Sequence, residues 1–247
     1  MKRLDQALVD LGFCDSREKA KRAVIAGEVR LNDQVARKPS DPVRDKDVVT
    51  LAAKERFVSR GGHKLEHALV HFHLDPTGGV ALDVGASTGG FTDCLLQHGA
   101  AIVYSVDVGQ GQLAWKLRQD PRVVVMERTN ARHLTPKSFP AGVAPFGWIV
   151  VDCSFISLKQ ILRPLTSLLD PKGHIVALIK PQFEAGKAEA DRGQGVITDP
   201  AIHQRVLQEL EAFVRGDLGW AWQAGVESPL LGPAGNKEFL VLIEKNA

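Results

Sequence analysis

The sequence predicts an α/β fold in two parts, a doubly wound and mostly parallel sheet preceded by a smaller α+β module. Three observations lead to this prediction. Apolar runs of strand length alternate with helical segments from residue 80 onward, basic residues are concentrated in the first quarter of the chain, and 247 residues suffice for one domain of about 150–200 residues plus a small one. With 44% hydrophobic and 24% charged residues, the composition is that of a folded protein.

The sequence lacks the usual features of membrane-spanning, secreted and metal-binding proteins. No apolar run approaches the roughly 18–20 residues that cross a bilayer, and the N-terminus alternates charged and apolar side chains, unlike a signal peptide. The three cysteines lie far apart. His63, His67 and His71 share a helix face, but no cysteine or carboxylate completes a ligand set. We therefore expect a cytoplasmic protein that binds neither a membrane nor a metal ion, and the sequence leaves its oligomeric state open.

The net charge of +2 conceals an uneven distribution. Residues 1–60 contain 14 Lys and Arg against 10 Asp and Glu, whereas residues 61–247 contain 17 against 19. The basic excess therefore lies in the first quarter of the chain, where it favours contact with nucleic acid.

Residues 1–53 have the pattern of a small module of two helices and a short sheet. Apolar residues at helical spacing predict a first helix that stops at Gly12, and Asp15-Ser16 predicts the cap of a second that stops at Gly27. Two short strands follow, at 29–31 and 48–51. Four basic residues are candidates for contact with a phosphate backbone, Arg3, Arg17, Lys21 and Arg22. On charge alone, a solvated helix face explains them better.

The order of residues in this module resembles the αL RNA-binding fold of a ribosomal small-subunit protein, tyrosyl-tRNA synthetases and pseudouridine synthases. The resemblance rests on Arg3-Leu4-Asp5-x-x-Leu8, Ser16-Arg17-x-x-Ala20 and Ile25-x-Gly27-x-Val29-x-Leu31-Asn32. It implies a domain that binds structured RNA and does no chemistry itself. We place this domain at residues 1–53, an interdomain linker at 54–58 and the second domain at 59–247.

The second domain alternates strands and helices. An opening helix begins at His63, after the turn Ser59-Arg60-Gly61-Gly62. The later strands are predicted at 80–84, 101–106, 123–125, 148–151, 174–179 and 239–243, with helices at 91–98, 158–169 and 201–214. Such alternation predicts a doubly wound parallel sheet, whose last strand we expect to be antiparallel.

The glycine-rich turn Gly85-Ala86-Ser87-Thr88-Gly89-Gly90 permits several interpretations. It matches the G-x-S-x-G nucleophile elbow of hydrolases, but that elbow follows several strands, and no histidine is evidently placed as a base. Ser87 replaces the second glycine of the dinucleotide fingerprint, which disfavours NAD and FAD. A cofactor without phosphates avoids that requirement, and Asp107, at the end of the next strand, can accept hydrogen bonds from a ribose. This combination suits S-adenosylmethionine; the alternative is that the glycines serve helix–strand packing alone.

Four charged residues stand where such a sheet binds its ligands. Asp152 and Lys180 each follow a buried strand, Glu238 precedes the last strand, and Lys64 opens the first helix of the domain. If the last strand is antiparallel, its start lies at the same edge as the carboxyl ends of the others. Each residue alone is more often a surface charge, but together they predict a site with two lysines and two carboxylates.

These four residues resemble the Lys-Asp-Lys-Glu tetrad of the FtsJ-like ribose 2′-O-methyltransferases. Five segments together resemble the TlyA family, which is often labelled hemolysin: Arg60-Gly61-Gly62-x-Lys64-Leu65, Asp83-Val84-Gly85-x-Ser87-x-Gly89-Gly90-Phe91-Thr92, Val151-Asp152-Cys153-Ser154-Phe155-Ile156-Ser157-Leu158, Ile179-Lys180-Pro181-Gln182-Phe183-Glu184 and Gly235-Asn236-Lys237-Glu238-Phe239. The resemblance implies a methyltransferase domain with a Rossmann-like sheet that uses S-adenosylmethionine. It also implies that the protein methylates a cytidine ribose of 16S or 23S ribosomal RNA, or of both, and that its partner is ribosomal RNA or a ribosomal subunit.

The resemblance also implies roles for single residues. Lys64, Asp152, Lys180 and Glu238 would be catalytic, and Arg60 would join the RNA contacts. The cofactor would be bound by Asp83, Gly85, Ser87, Thr88, Gly89, Gly90, Phe91, Asp107 and Asn130. Lys180 is the candidate base for the ribose hydroxyl, with an orienting role as the alternative. The small, charged and glycine-rich residues at 183–195 indicate a loop, either a mobile one that contacts RNA or a solvated surface loop. A membrane-lytic protein and a non-catalytic RNA-binding protein are the alternative functions.

Overall fold

The computed structural model describes residues 1–51, 55–143 and 145–246, and the chain forms two compact units, residues 1–56 and 57–247. The second unit begins earlier than predicted. Phe57, assigned to the linker from the sequence, is 2% exposed and packs in the core of the second unit. Val58 donates its backbone N–H to Asp93 Oδ2 at 2.8 Å. The linker was predicted to extend through residue 58, and this boundary was wrong. Burial of the Phe57 ring makes residues 57 and 58 part of the second unit. Lys54, where that linker was expected to begin, lies outside the described residues.

Within residues 1–51, the first unit has the two helices and two strands predicted for it, and three two-residue strands that were not predicted. They are β1 (Lys2–Arg3), α1 (Leu4–Asp10), α2 (Arg17–Ile25), β2 (Val29–Leu31), β3 (Gln34–Val35), β4 (Pro42–Val43) and β5 (Val49–Leu51). Ser16 caps α2 as predicted, with its hydroxyl accepting from the N–H of Lys19 at 3.3 Å. Leu4, Leu8, Val24 and Val29 form the core of the unit, with strand β2 pairing antiparallel to β3 and β5.

The second unit alternates helices and strands. Its elements are α3 (Gly61–His71), β6 (Val80–Val84), α4 (Gly90–Gln97), β7 (Ile102–Val106), α5 (Trp115–Arg118), β8 (Val123–Met126), β9 (Phe146–Val151), α6 (Leu158–Leu165), β10 (Leu169–Ile179), α7 (Pro181–Glu184), α8 (Lys187–Arg192), α9 (Pro200–Ala212), β11 (Trp220–Glu227) and β12 (Phe239–Lys245). Short 3-10 turns cover Ala131–His133 and Pro136–Ser138, and a π-helical turn covers Phe213–Asp217.

Among residues 57–143 and 145–246, seven strands form one sheet in the order β11-β12-β10-β9-β6-β7-β8. The pairs among β10, β9, β6, β7 and β8 are parallel, and β12 is antiparallel to both β10 and β11. The predicted α/β fold and the antiparallel last strand are thus confirmed. Two apolar cores lie within the unit, one including Leu82, Ile149 and Ile175, the other including Ala81, Val150 and Val176. Since neighbouring residues of a strand point to opposite faces, the sheet is buried on both sides.

In the region of the sheet, the sequence prediction differs from the structure at the junction of α6 and β10 and at β11. The helix predicted at 158–169 ends at Leu165, and Leu169 already belongs to β10, which has a register irregularity between Leu169 and His174. The strand β11 was not predicted at all. It is the edge strand of the sheet and is partly exposed over much of its length, so it lacks the continuous apolar run that marks the central strands.

The register of the sheet brings the predicted polar residues to one edge. Val84 pairs with both Val106 and Val151, and Ile179 pairs with Phe239. The residues that come next along the chain are Gly85, Asp107, Asp152 and Lys180, and Glu238 immediately precedes Phe239. This edge is where open α/β sheets bind ligands.

Candidate active site

The glycine-rich loop after β6 is organised by Asp107. Ser87 has a left-handed backbone (φ 48°) and donates its N–H to Asp107 Oδ2 at 2.8 Å, while Gly109 donates to Oδ1 at 2.7 Å. Gly85 also has positive φ (86°), and a Cβ there would lie 2.6 Å from the carbonyl oxygen of Asp152. A side chain at residue 85 is therefore excluded both by the backbone conformation and by the neighbouring strand.

A cavity of about 370 Å³ opens beside this loop. Gly85, Ser87 and Asp107 line it, together with Asn130 from the loop after β8. Its remaining wall is largely apolar and includes Val108, Ala131, Cys153, Phe155 and Ile156. A carboxylate at one end and an apolar wall form a pocket that suits a nucleoside.

A second cavity, of about 260 Å³, adjoins the first. The two share Gly85, Ser87, Asp152 and Ser154 in their linings. The second cavity also contains both lysines predicted from the sequence, Lys64 and Lys180, with Arg60 at its wall. A ligand in one cavity would therefore adjoin a ligand in the other.

The four predicted catalytic residues form two ion pairs. Lys180 Nζ lies 2.6 Å from Asp152 Oδ1, and Lys64 Nζ lies 2.5 Å from Glu238 Oε2. The second pair is the more deeply buried, with side-chain exposures of 8% for Lys64 and 1% for Glu238. Burial of a charged pair is tolerated when each charge is matched at short distance, so Glu238 holds Lys64 from behind the cavity wall.

Lys180 has a further partner that the sequence did not single out. Its ammonium donates to Ser154 Oγ at 2.9 Å. Ser154 lines both cavities, two residues after Asp152 in the loop that follows β9. Its position in a strand-end loop was the available signal, but serine is too common in loops for residue type alone to identify it.

Asp83 does not contact either cavity. Its side chain is fully buried, and Oδ2 accepts from Thr92 Oγ1 at 2.6 Å. Burial raises the pKa of this carboxyl to about 7, and the nearby Asp152 charge adds to the effect, although the Thr92 hydrogen bond opposes it. The prediction that Asp83 binds the cofactor is corrected, since the residue supports the loop from below.

The other predicted cofactor residues divide between the cavities. Gly85, Ser87, Asp107 and Asn130 line the larger one, and Thr88, Gly90 and Phe91 line the smaller one with Gly85 and Ser87. Gly89 lines neither. It has φ 94°, and a Cβ there would lie 2.3 Å from Leu117, so its role is close packing of α5 on the loop.

The hydrolase interpretation of Ser87 fails on geometry. The Ser87 hydroxyl donates to the side-chain oxygen of Gln112 at 3.2 Å. An amide cannot take the proton of a serine nucleophile as histidine does. Cys153 is not a nucleophile either, because burial raises the pKa of its thiol to about 12.

The predicted RNA-binding residues of the first unit differ in the ion pairs that their side chains form. Arg3 and Arg17 both pair with the buried carboxylate of Asp5, at 3.1 and 2.9 Å, yet each keeps about half of its side chain exposed. Lys21 lies 3.7 Å from Glu18, and Arg22 is exposed. Arg3 and Arg17 therefore also stabilise the first unit.

The segment 183–195, predicted as a loop, contains helical structure. It includes the second half of α7 and all of α8, and Glu189 of α8 pairs with Arg205 of α9 at 2.5 Å. The prediction of an irregular loop was wrong because the helix-forming run Lys187–Arg192 lies between two glycines, Gly186 and Gly193, which bound it.

Comparison with known families agrees with this geometry. The model of the family described as FtsJ-like methyltransferase matches residues 57–245, and that of the S4 domain matches residues 2–49. The chain belongs to the FtsJ-like methyltransferase family. Its first unit is an S4 domain.

Some proteins that are similar to nearly the whole chain are named as ribosomal RNA methyltransferases, and others are named as hemolysins. The 16S/23S rRNA (cytidine-2′-O)-methyltransferase TlyA of Mycobacterium tuberculosis is 44% identical over 241 residues, covering 97% of this chain and 88% of that protein. Hemolysin A of Brachyspira hyodysenteriae is 38% identical over 238 residues, covering 96% and 98%. A solved structure from Streptococcus thermophilus, also named as a hemolysin, superposes with a TM-score of 0.75 at 44% identity, covering 99% of this chain and 88% of that one. Within the described parts of this FtsJ-like chain, no helix is long and apolar enough to cross a membrane.

Proposed function

We propose that this FtsJ-like protein transfers a methyl group from S-adenosylmethionine to the 2′-oxygen of a cytidine ribose in ribosomal RNA. The observation on which the proposal rests is the pair of adjoining cavities, one suited to a nucleoside cofactor and the other containing the two lysines. The S4 domain and the activity named for the Mycobacterium tuberculosis relative support RNA as the substrate.

The larger cavity has the properties that S-adenosylmethionine requires. Its volume of about 370 Å³ falls in the usual range for small-molecule sites. Asp107 would accept from the ribose hydroxyls, and the apolar wall with Asn130 would hold the adenine. Ser87 is tolerated in the loop because this cofactor has no pyrophosphate for which the backbone must make room. When bound, the cofactor supplies an electrophilic methyl group on its sulfonium.

Lys180 is the residue that would contact the reacting 2′-hydroxyl. A lysine ammonium has three hydrogens, and the contacts to Asp152 and Ser154 leave one for a substrate oxygen. The same contacts hold Nζ beside the loop that follows β9, which matters because displacement requires the oxygen, the methyl carbon and the sulfur in line. As an ammonium, Lys180 orients the hydroxyl while water receives the proton. As a neutral amine it has two hydrogens for Asp152 and Ser154, and a lone pair in place of the third hydrogen receives the hydroxyl proton.

The buried pair Lys64–Glu238 would complete the smaller cavity. Glu238 directs the ammonium of Lys64 to the cavity wall, where it can donate to a ribose or phosphate oxygen of the nucleotide. Glu238 itself acts through Lys64, since it is not part of that wall.

Methyl transfer from labelled S-adenosylmethionine to purified small and large ribosomal subunits tests the proposal. We expect labelled 2′-O-methylcytidine with the native protein, and mapping the position identifies 16S or 23S RNA as the substrate. Lys180→Ala should lose activity, whereas the exposed Lys172→Ala serves as a matched control with full activity. Lys180→Arg separates the two roles, because arginine can orient a hydroxyl but cannot act as a base near neutral pH.

Calorimetry with S-adenosylmethionine distinguishes a non-catalytic RNA-binding protein. Binding of the cofactor by both the native protein and Lys180→Ala is the expected result. No cofactor binding together with no transfer to either subunit would refute the proposed function and favour the RNA-binding alternative.

A further inference from the structure

The two loops that hold Asp152 and Lys180 are joined at a second place, away from the cavities. Glu184, in the helix that follows Lys180, accepts a hydrogen bond from Ser157 Oγ at 2.7 Å through Oε2. Its other oxygen, Oε1, accepts from the backbone N–H of Leu158 at 2.7 Å. Both partners stand at the start of α6, where the loop from Asp152 ends.

The contacts between these loops follow one another along both segments. Lys180 contacts Asp152 and Ser154, the ring of Phe183 lies 5.0 Å from that of Phe155, and Glu184 binds Ser157 and Leu158. Of these, only the Glu184 contacts use both oxygens of a carboxylate as hydrogen-bond acceptors, so they are the most restrictive in geometry.

Glu184 has no place on either cavity wall. Burial raises the pKa of its carboxyl, while the hydrogen bonds from Leu158 and Ser157 oppose that effect. This half-buried carboxylate loses part of its hydration, and the hydrogen bonds from Ser157 and Leu158 compensate for that loss.

We infer that Glu184 is a positioning residue for methyl transfer: it fixes the segment that begins at Lys180 against the loop of Asp152 and Ser154. The inference rests on the proposed function. Its physical basis is that Nζ of Lys180 must be placed to within a fraction of an ångström, whereas its own ion pair leaves the backbone free to shift. The contacts of Glu184 remove that freedom because its carboxylate binds the backbone N–H of Leu158 as well as the side chain of Ser157.

The test compares Glu184→Ala with Glu184→Gln in single-turnover methyl transfer to ribosomal subunits at saturating cofactor. The glutamine carbonyl can accept from Leu158 N–H, and its amide can donate to Ser157 Oγ, so both hydrogen bonds are kept. We expect the alanine variant to be slower by about 10- to 100-fold and the glutamine variant to remain within about threefold of the native rate. Glu211→Ala is the control and should keep the native rate, because Glu211 pairs with Arg215 and neither residue lines either cavity.

A double-mutant cycle with Ser157→Ala gives the second readout. Ser157→Ala removes one of the same two hydrogen bonds, so its effect and that of Glu184→Ala should combine to less than their product. This cycle also uses a milder change: if Glu184→Ala does not fold, a severalfold slower Ser157→Ala supports the inference, and a native rate overturns it.

When Glu184→Ala folds, three results overturn the inference: a native rate for Glu184→Ala, a Glu184→Gln variant as slow as the alanine variant, or effects of Glu184 and Ser157 that multiply. A failure of the proposed function looks different, because then the native protein itself transfers no methyl group to either subunit.

Discussion

The carboxyl of Asp83 should make the stability of the second unit fall as the pH rises from about 4 to about 7. Its pKa is about 7 in the folded protein, against an ordinary value of 3.8. Between these values the folded state binds more protons than the unfolded state, so the free energy of unfolding decreases with pH. The stabilisation is complete below pH 3.8 and is lost as the pH passes 7.

The magnitude follows from the same two values. Each pH unit between them changes the free energy of unfolding by about 1.4 kcal/mol, which gives about 4 kcal/mol over the whole window. Asp83→Asn removes the titrating group and keeps an oxygen to accept from Thr92. The difference between the native protein and Asp83→Asn therefore isolates this residue, since every other titrating group is common to both.

Urea unfolding followed by tryptophan fluorescence is the assay. All four tryptophans, Trp115, Trp148, Trp220 and Trp222, belong to the second unit, so the signal reports on that unit. Relative to Asp83→Asn, the native protein should lose stability steadily from pH 4 to pH 7. Thr92→Val, which removes the hydrogen bond that favours the charged form, should extend the loss to higher pH. A difference that is flat over this range, or that grows in favour of the native protein as the pH rises, refutes the reasoning.

Three further predictions concern the site and the RNA-binding unit. Gly232→Ala places a Cβ 2.5 Å from Glu238 Oε1, so it should displace this carboxylate from Lys64 and lower kcat by about tenfold or more. The affinity for the cofactor, measured by calorimetry, should not change, and Gly216→Ala, whose Cβ meets nothing within 4 Å, is the control. In Gly85→Ala the new Cβ meets the backbone of Asp152, so urea unfolding should show a free energy of unfolding lower by about 2 kcal/mol, and calorimetry should show no cofactor binding. Stability and cofactor affinity equal to those of the native protein would contradict this. Lys21→Ala combined with Arg22→Ala should weaken binding to ribosomal RNA and reduce the slope of log affinity against log salt by about 2, and an unchanged slope would show that neither residue contacts phosphate.

The positions of the tetrad could be predicted from the sequence because strand ends are visible in it. A run such as Ile149-Val150-Val151 ends where Asp152 begins, and parallel strands bring such ends to one edge of a sheet. The pairing within the tetrad could not be predicted. Which lysine meets which carboxylate depends on side-chain direction and depth, and these become defined only when α3 packs against the sheet.

The supporting residues were harder to predict for the same reason. Asp83 stands beside the glycine-rich turn in the sequence, but only the packing of Thr92 shows that its side chain points into the core. Ser154 and Glu184 stand close to predicted catalytic residues in the chain, yet their contacts join segments 26 and 27 residues apart. Single-sequence patterns describe neighbours along the chain far better than such pairs.

The antiparallel insertion of β12 has a consequence for synthesis of the protein. This strand lies between β10 and β11, both of which precede it in the chain, so the sheet has a gap until β12 has been synthesised. Glu238 comes with that same strand. A nascent chain therefore displays its S4 domain to RNA long before the partner of Lys64 leaves the ribosome. Any product truncated before residue 238 lacks both the strand that joins β10 to β11 and the carboxylate that pairs with Lys64, so the sheet and this ion pair are completed together.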